Sequence, residues 1–216
     1  SFRGALDLSS KSGTLMVGVP ATIDNDVFGT DETVGFDTAV NTAVAAIDKI
    51  RDTAISHERV FIVEVMGRKR GFLALHVGIA VGAEVILVPE NEYKVNQVIE
   101  MIRENARKGK RAGIIVAAES VGDTGKIAKE IEEQIGSEVR RSILGYAQRG
   151  GSPTARSRLL ASLFANKAIE LLCQEQGNRV VGLQNGAVTS VELKKSCETL
   201  KPMDLSLLRL ADTLAI

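Results

Sequence analysis

Two carboxylates two residues apart, Asp24 and Asp26, lie in a polar run that directly follows an apolar segment of strand length. In such a loop one carboxylate can accept a proton from a substrate alcohol, while the other helps to bind a hydrated divalent cation. The hydroxyl of Thr22 can donate a hydrogen bond to a phosphate oxygen. The same residue types also fit an Asx-rich turn that caps the next helix. The run therefore indicates either a site for chemistry on a phosphate or a structural turn.

A second polar turn follows the next apolar run. Gly67 permits a positive φ or a close backbone approach, and Arg68 comes next, at the predicted carboxyl end of a strand. Ligands of open α/β sheets bind outside the carboxyl ends of the strands, so Arg68 is expected at the same edge as the first loop. A guanidinium there can stabilise charge on a transferring phosphoryl group. A solvated basic turn is the alternative.

A third segment, residues 145–153 (GYAQRGGSP), combines an arginine with two adjacent glycines and a predicted helix start. Ser152 is placed as the N-cap of that helix, and Pro153 as its first residue. Free N–H groups and the helix dipole favour an anion at such a point, which predicts a phosphate site that includes Arg149. A tight turn that merely needs its glycines is the alternative.

Further polar residues stand at strand ends. Glu119 directly follows one predicted strand, and Arg140 lies at the start of another. Arg59 enters its strand at the amino end, so it is not expected to reach the ligand edge of its own subunit.

The elements that position these residues alternate between strand-length apolar runs and longer segments, several of them of helical period. One helix is predicted over residues 33–55, with Asp31 placed to cap it, and another over residues 153–174. Near-continuous apolar strands alternating with helices are typical of a mostly parallel sheet covered by helices on both faces, so the predicted fold class is α/β. The predicted strands are residues 15–19, 60–65, 84–88, 113–118, 139–144 and 179–183.

Composition narrows the class of protein. The 27 basic and 27 acidic residues give a formal net charge of zero, which argues against a general binder of nucleic acid or of acidic membranes. Cys173 and Cys197 are too few for a zinc site or a disulfide framework, so both are expected to be reduced. No apolar run approaches the length of a membrane span, and no basic-then-apolar leader stands at the start, so a cytoplasmic location is expected.

Residues 22–26 (TIDND), 66–68 (MGR) and 145–153, in this order and spacing, closely resemble the bacterial-type 6-phosphofructokinases of the phosphofructokinase family. The resemblance covers essentially the whole chain and implies one phosphofructokinase domain over residues 1–216. It implies transfer of a phosphoryl group from ATP to C1 of fructose 6-phosphate, with Mg²⁺. In the family the nucleotide-binding part precedes the first motif, so the chain is expected to be N-terminally incomplete and inactive alone.

The resemblance assigns the reacting centre. Asp24 corresponds to the base for the C1 hydroxyl, and Asp26 to an acid near the magnesium ion. Thr22 and Arg68 correspond to residues that lie against the transferred phosphoryl group.

The resemblance also assigns the sugar contacts. Met66 and Gly67 line the sugar site, and Glu119 matches an acid that binds sugar hydroxyls. Arg149 grips the 6-phosphate, while Arg59 and Arg140 match arginines that reach it from a neighbouring subunit. Many bacterial members have His in place of Tyr146, and Tyr can donate a hydrogen bond to phosphate but carries no positive charge at neutral pH.

Regulation and assembly are implied in the same way. Arg51, Glu84, Lys108 and Lys110 match residues that bind ADP or phosphoenolpyruvate as effectors, and the full-length relatives imply a homotetramer.

Two other functions stay open. A pyrophosphate-dependent enzyme of the same fold is the first, although such relatives carry Lys where this chain has Ala21, which favours ATP. A catalytically silent phosphosugar-binding module is the second; intact Asp24, Asp26 and Arg68 count against it.

Overall fold

The computed structural model describes residues 1–110 and 112–214. The helices are α1 (Phe2–Ser12), α2 (Phe36–Ser56), α3 (Phe72–Ala80), α4 (Val95–Arg107), α5 (Thr124–Ile135), α6 (Ala155–Cys173), α7 (Leu193–Glu198) and α8 (Ser206–Leu214). The strands are β1 (Val17–Gly18), β2 (Val60–Val65), β3 (Val85–Leu87), β4 (Gly113–Ala118), β5 (Val139–Ile143), β6 (Arg179–Gln184) and β7 (Ala187–Glu192), and a 3₁₀ helix covers Gly145–Arg149.

The chain divides into two units. The first consists of Ser1–Thr38 and Ser152–Pro202, and the second of Ala39–Gly151 and Met203–Ile216. Each unit has its own sheet. Among the described helices, none combines the length and the apolar character that crossing a membrane requires.

The second unit is built on a four-stranded parallel sheet in the order β3-β4-β2-β5. Helices α4 and α5 pack on one face, where Ile62, Ile115 and Ile131 are fully buried. Ile114 and Val116, which point to the other face, are equally buried, and α3 packs against β3 and β4. Both faces of the sheet are therefore covered, which explains why its strands read as continuous apolar runs.

The first unit contains a three-stranded sheet in the order β1-β6-β7. Strand β6 pairs in parallel with β1 and antiparallel with β7. One face of α6 packs on this sheet through Leu160, Phe164 and Leu171.

Two capping predictions were wrong, and one strand was missed. Helix α2 begins at Phe36, and the carboxylate of Asp31 accepts a hydrogen bond from the N–H of Asn185 (2.8 Å) instead of capping the helix. The N-cap of α6 is Thr154, whose hydroxyl accepts from the N–H of Ser157 (3.2 Å), and not Ser152. Strand β7 was not predicted at all.

Candidate active site

The loop that follows β1 contains the two predicted carboxylates. Asp24 is buried, with 3% of its surface exposed, whereas Asp26 is exposed. The N–H of Asp24 donates to the hydroxyl of Thr22 (3.2 Å), which forms a short turn at the start of the motif. The loop thus holds two chemically identical groups in different surroundings, one buried and one solvated.

The exposed carboxylate has the character that the predicted magnesium site requires. Mg²⁺ in phosphoryl-transfer sites keeps several waters and binds through one or two carboxylates and the phosphates of the substrate. Asp26 fits that requirement. Within residues 1–110 and 112–214, no three His, Cys, Asp or Glu side chains cluster closely enough to form an all-protein metal site.

The turn after β2 has unusual backbone geometry. Gly67 has φ of 143°, and Arg68, which is exposed, has φ of 54°. A Cβ at Gly67 would lie 2.4 Å from the carbonyl oxygen of Arg70, so only glycine fits there. One carboxylate oxygen of Glu119 accepts from the N–H groups of Gly67 (3.1 Å) and Arg68 (2.6 Å). The structure therefore brings Gly67, Arg68 and Glu119 together, as their shared strand ends predicted.

The far end of the same turn is fixed by Glu90, which was not singled out from the sequence. Its carboxylate accepts from the N–H of Gly71 (3.2 and 3.0 Å) and pairs with Arg70 (2.8 Å). Glu90 follows β3, as Glu119 follows β4, so two neighbouring strands each contribute one carboxylate to the turn.

The segment 145–153 forms a 3₁₀ helix and a glycine-containing loop. The guanidinium of Arg149 lies 5.1 Å from the ring centre of Tyr146, a cation–π contact between two exposed side chains. Gln148 is 1% exposed, and its amide accepts from the N–H of Met66 (3.3 Å) and donates to the carbonyl of Gly145 (3.1 Å). Gln148 thereby ties this segment to the end of β2, a role that its position in the motif did not reveal.

The two arginines predicted to serve a neighbouring subunit lie side by side. Arg59 pairs with Glu138 (2.6 Å), and Arg140 pairs with the other oxygen of the same carboxylate. Parallel pairing of β2 with β5 sets this arrangement, since Val60 lies opposite Val139. Glu138 had no predicted role.

The predicted effector residues are partly assembled. The carboxylate of Glu84 is 4% exposed and pairs with Lys110 (2.9 Å) and, more distantly, with Arg51 (4.0 Å). These three residues line a cavity of about 320 Å³ at the amino-terminal edge of the sheet. Lys108 is the exposed C-terminal cap of α4 and does not line that cavity.

Comparison with known proteins places these residues in a family. The family model described as phosphofructokinase matches residues 1–172, which include all three motifs. The ATP-dependent 6-phosphofructokinase of Lysinibacillus sphaericus is 50% identical over 216 residues, covering 100% of this chain and 67% of that protein. ATP-dependent 6-phosphofructokinase 1 of Thermus thermophilus is 50% identical over 218 residues, covering 100% and 68%.

A solved phosphofructokinase structure has a similar fold. Phosphofructokinase from Pichia pastoris in the T-state superposes with a TM-score of 0.88 at 25% identity, covering 99% of this chain and 29% of that one. The chain belongs to the phosphofructokinase family, so the predicted family and fold class are confirmed. It spans about two thirds of the length of its bacterial relatives.

Proposed function

We propose that the protein is an ATP-dependent 6-phosphofructokinase and that this chain carries its catalytic base and its sugar-phosphate contacts. The enzyme transfers the γ-phosphoryl group of ATP to the C1 hydroxyl of fructose 6-phosphate and releases fructose 1,6-bisphosphate and ADP. This activity, predicted from the sequence, agrees with the names of the bacterial relatives at 50% identity.

The contrast between Asp24 and Asp26 is the observation that carries the proposal. Asp24 is shielded, and its backbone is held by Thr22, so it is the positioned proton acceptor. As the C1 oxygen bonds to the γ-phosphorus and the bond to the ADP oxygen breaks, the hydroxyl proton passes to Asp24. Asp26, which is solvated, would hold Mg²⁺, and the bound ion would neutralise charge on the phosphates.

Arg68 supplies positive charge to the transferred phosphoryl group, and the hydroxyl of Thr22 donates to one of its oxygens. The turn that carries Arg68 is fixed by Glu119 through two backbone hydrogen bonds, so the backbone from which the guanidinium extends is in place before substrate arrives. This preorganisation supports a role in the transition state and not only in binding.

The sugar phosphate is bound by a separate set of side chains. Arg149 and Tyr146 contact the 6-phosphate within one subunit, and Arg59 and Arg140 reach it from a neighbouring subunit. Their grouping on Glu138 supports the last assignment, because both guanidiniums are presented together at the amino ends of β2 and β5. The sugar itself is lined by Met66, Gly67 and Glu119.

Regulation and assembly complete the proposal. ADP or phosphoenolpyruvate binds at Arg51, Glu84, Lys108 and Lys110, supported by the cavity that three of these residues line. The enzyme assembles as a homotetramer and works in the cytoplasm.

The test is an assay of the complete encoded protein with fructose 6-phosphate and either ATP or pyrophosphate as donor. ATP is expected to support formation of the 1,6-bisphosphate, and pyrophosphate is not. Asp24→Asn is expected to lower kcat by on the order of 10²–10⁴ with little change in KM, because the amide keeps the geometry but accepts no proton. Near-normal turnover of that variant would remove Asp24 from the mechanism.

A further inference from the structure

We propose that Asn25 is a positioning residue for this reaction: its side chain fixes the loop of residues 22–33 so that Asp24 is turned inward and Asp26 outward. The inference rests on the proposed function and adds to it a residue that takes no part in the chemistry itself. Every contact used below lies within the first unit.

Asn25 has a backbone conformation that few residues adopt. Its φ is 52°, in the left-handed region, and it is 2% exposed. Asn is among the few non-glycine residues that tolerate this region. The left-handed step occurs between the two acids, and one of them is buried while the other is exposed. The reversal at Asn25 therefore separates the base from the metal ligand.

The side chain of Asn25 uses both halves of its amide. Nδ2 donates to the carbonyl oxygen of Asp31 (3.1 Å), and Oδ1 accepts from the N–H of Thr33 (3.0 Å). Both partners lie at the far end of the loop, just before α2. A donor and an acceptor are needed together, which an amide supplies and an ionised carboxylate does not.

Hydrogen bonds that do not involve Asn25 join the two ends of the loop. The hydroxyl of Thr33 donates to the carbonyl oxygen of Thr22 (2.6 Å), and the N–H of Val34 donates to that of Pro20 (2.9 Å). The two ends of the loop are thus joined, and Asn25 adds the bond across its middle.

The outer half of the loop is anchored to the sheet. Thr30 accepts from the N–H of Leu183 through its hydroxyl (3.0 Å), and the N–H of Asp31 donates to the carbonyl of Leu183 (2.7 Å). The loop lies so close to strand β6 that a Cβ at Gly182 would be 2.2 Å from the carbonyl oxygen of Gly29. Since Asp31 is fixed to β6, the bond from Asn25 to Asp31 connects the segment carrying Asp24 to a rigid strand.

The consequence for catalysis follows from the sensitivity of proton transfer to position. The contacts assigned to the sugar phosphate come from residues outside this loop, so loosening the loop is expected to lower kcat more than it raises KM for fructose 6-phosphate. A residue needed only for folding would instead lower stability and leave the turnover of the folded fraction unchanged.

The experiment compares Asn25→Asp and Asn25→Gly in the complete encoded protein. Aspartate keeps the acceptor but loses the donor, and glycine keeps the backbone freedom but loses both bonds. Each is expected to lower kcat by about 10²-fold, the scale of a misplacement near 1 Å. The KM for fructose 6-phosphate is expected to stay within about threefold of the parent value.

The matched control is Asn178→Asp. Asn178 also lies in the first unit with a left-handed φ of 58°, but it is exposed, and its Oδ1 accepts from the hydroxyl of Ser9, a bond that aspartate retains. The control makes the same chemical change at the same kind of backbone position. Parental kcat is expected for it.

The outcomes separate this inference from the proposed function. A parent protein that does not phosphorylate fructose 6-phosphate would refute the function. An active parent whose Asn25 variants, normalised to folded protein by thermal melting, turn over within about threefold of it would refute only the positioning role. A rise in KM at unchanged kcat would also refute it. If Asn25→Asp does not fold, Asn25→Gly decides.

Discussion

The loop after β1 and the turn after β2 are each held in a fixed conformation, but by different kinds of contact. Each follows the carboxyl end of a parallel strand and contains a non-glycine residue with positive φ, Asn25 in one and Arg68 in the other. The loop is tied across by its own side chains, whereas the turn is held by carboxylates from distant segments, Glu119 and Glu90.

The difference shows where each conformation is encoded. The bonds across the middle of the loop come from a side-chain amide that lies a few residues from its partners, so this part of the loop is encoded in local sequence. Only the outer half of the loop is also anchored to a distant strand, β6. The turn depends on sheet register: Val65 lies opposite Ala118, and the N–H of Glu119 donates to the carbonyl of Val65 (2.9 Å), which brings Glu119 beside Gly67. A change at Glu119 or Glu90 is therefore expected to damage the turn and spare the loop.

Of the changes that test this comparison, removal of the Glu119 carboxylate should have the largest effect. Glu119→Ala deletes the acceptor of two backbone N–H groups, and Arg68 then loses its fixed position. We expect kcat to fall by about 10²-fold and KM for fructose 6-phosphate to rise. Steady-state kinetics of the complete encoded protein measures both.

Glu119→Gln is the matched comparison, because its carbonyl oxygen can still accept both bonds. It is expected to recover a substantial part of the lost kcat. Equal kcat for Glu119→Ala and the parent would show that the turn holds Arg68 without Glu119.

Backbone geometry at Gly67 predicts an intermediate effect, on stability. Gly67→Ala places a methyl group against the carbonyl of Arg70, whereas Gly82→Ala, also at positive φ (58°) and in the same unit, meets no atom within 4 Å. Gly82→Ala is expected to cost about 1–2 kcal/mol of unfolding free energy. Gly67→Ala should cost on the order of 1–3 kcal/mol more. Urea unfolding of the two variants gives the difference, and equal losses would contradict the crowding at Gly67.

The smallest effect is expected at Glu138. Its ion pairs with Arg59 and Arg140 involve side chains that are 34–55% exposed, and exposed pairs contribute about 0–1 kcal/mol. Glu138→Gln should therefore change the unfolding free energy about as little as Glu133→Gln, which breaks the exposed pair with Lys129. If Glu138→Gln lowered the free energy of unfolding as much as Gly67→Ala does, the low value expected for exposed ion pairs in this unit would be contradicted.

Much of the fold was predictable because buried parallel strands have a simple pattern. Strands β2 and β4 occupy the predicted residues, 60–65 and 113–118, since both faces of the sheet are covered and their residues are almost all apolar. Strand β7 escaped prediction because all its residues are partly exposed, so no apolar run marks it. The signal that was present is Asn185-Gly186, whose φ values of 50° and 80° make the tight turn of a hairpin.

The candidate site was predictable in its residue types but not in its supports. Asp24, Arg68 and Arg149 stood out by charge and by position after strands. Gln148, Glu90 and Glu138 did not, because each acts on a partner far along the chain and the sequence alone does not pair them. The cap of α6 was misplaced by two residues for a related reason: Thr154 also donates to Asp37, a bond that fixes it in place and that only the folded unit reveals.

We assign Asp24 as the base and Asp26 as the metal ligand. The most direct test measures kcat against Mg²⁺ concentration for Asp24→Asn and Asp26→Asn in the complete encoded protein. Asp26→Asn should lose activity that added Mg²⁺ partly restores, because the substitution weakens a metal ligand. Asp24→Asn should stay at least about 10²-fold below the parent at every Mg²⁺ concentration, since no metal replaces the missing proton acceptor. Recovery of Asp24→Asn by Mg²⁺ would contradict the assignment of the base.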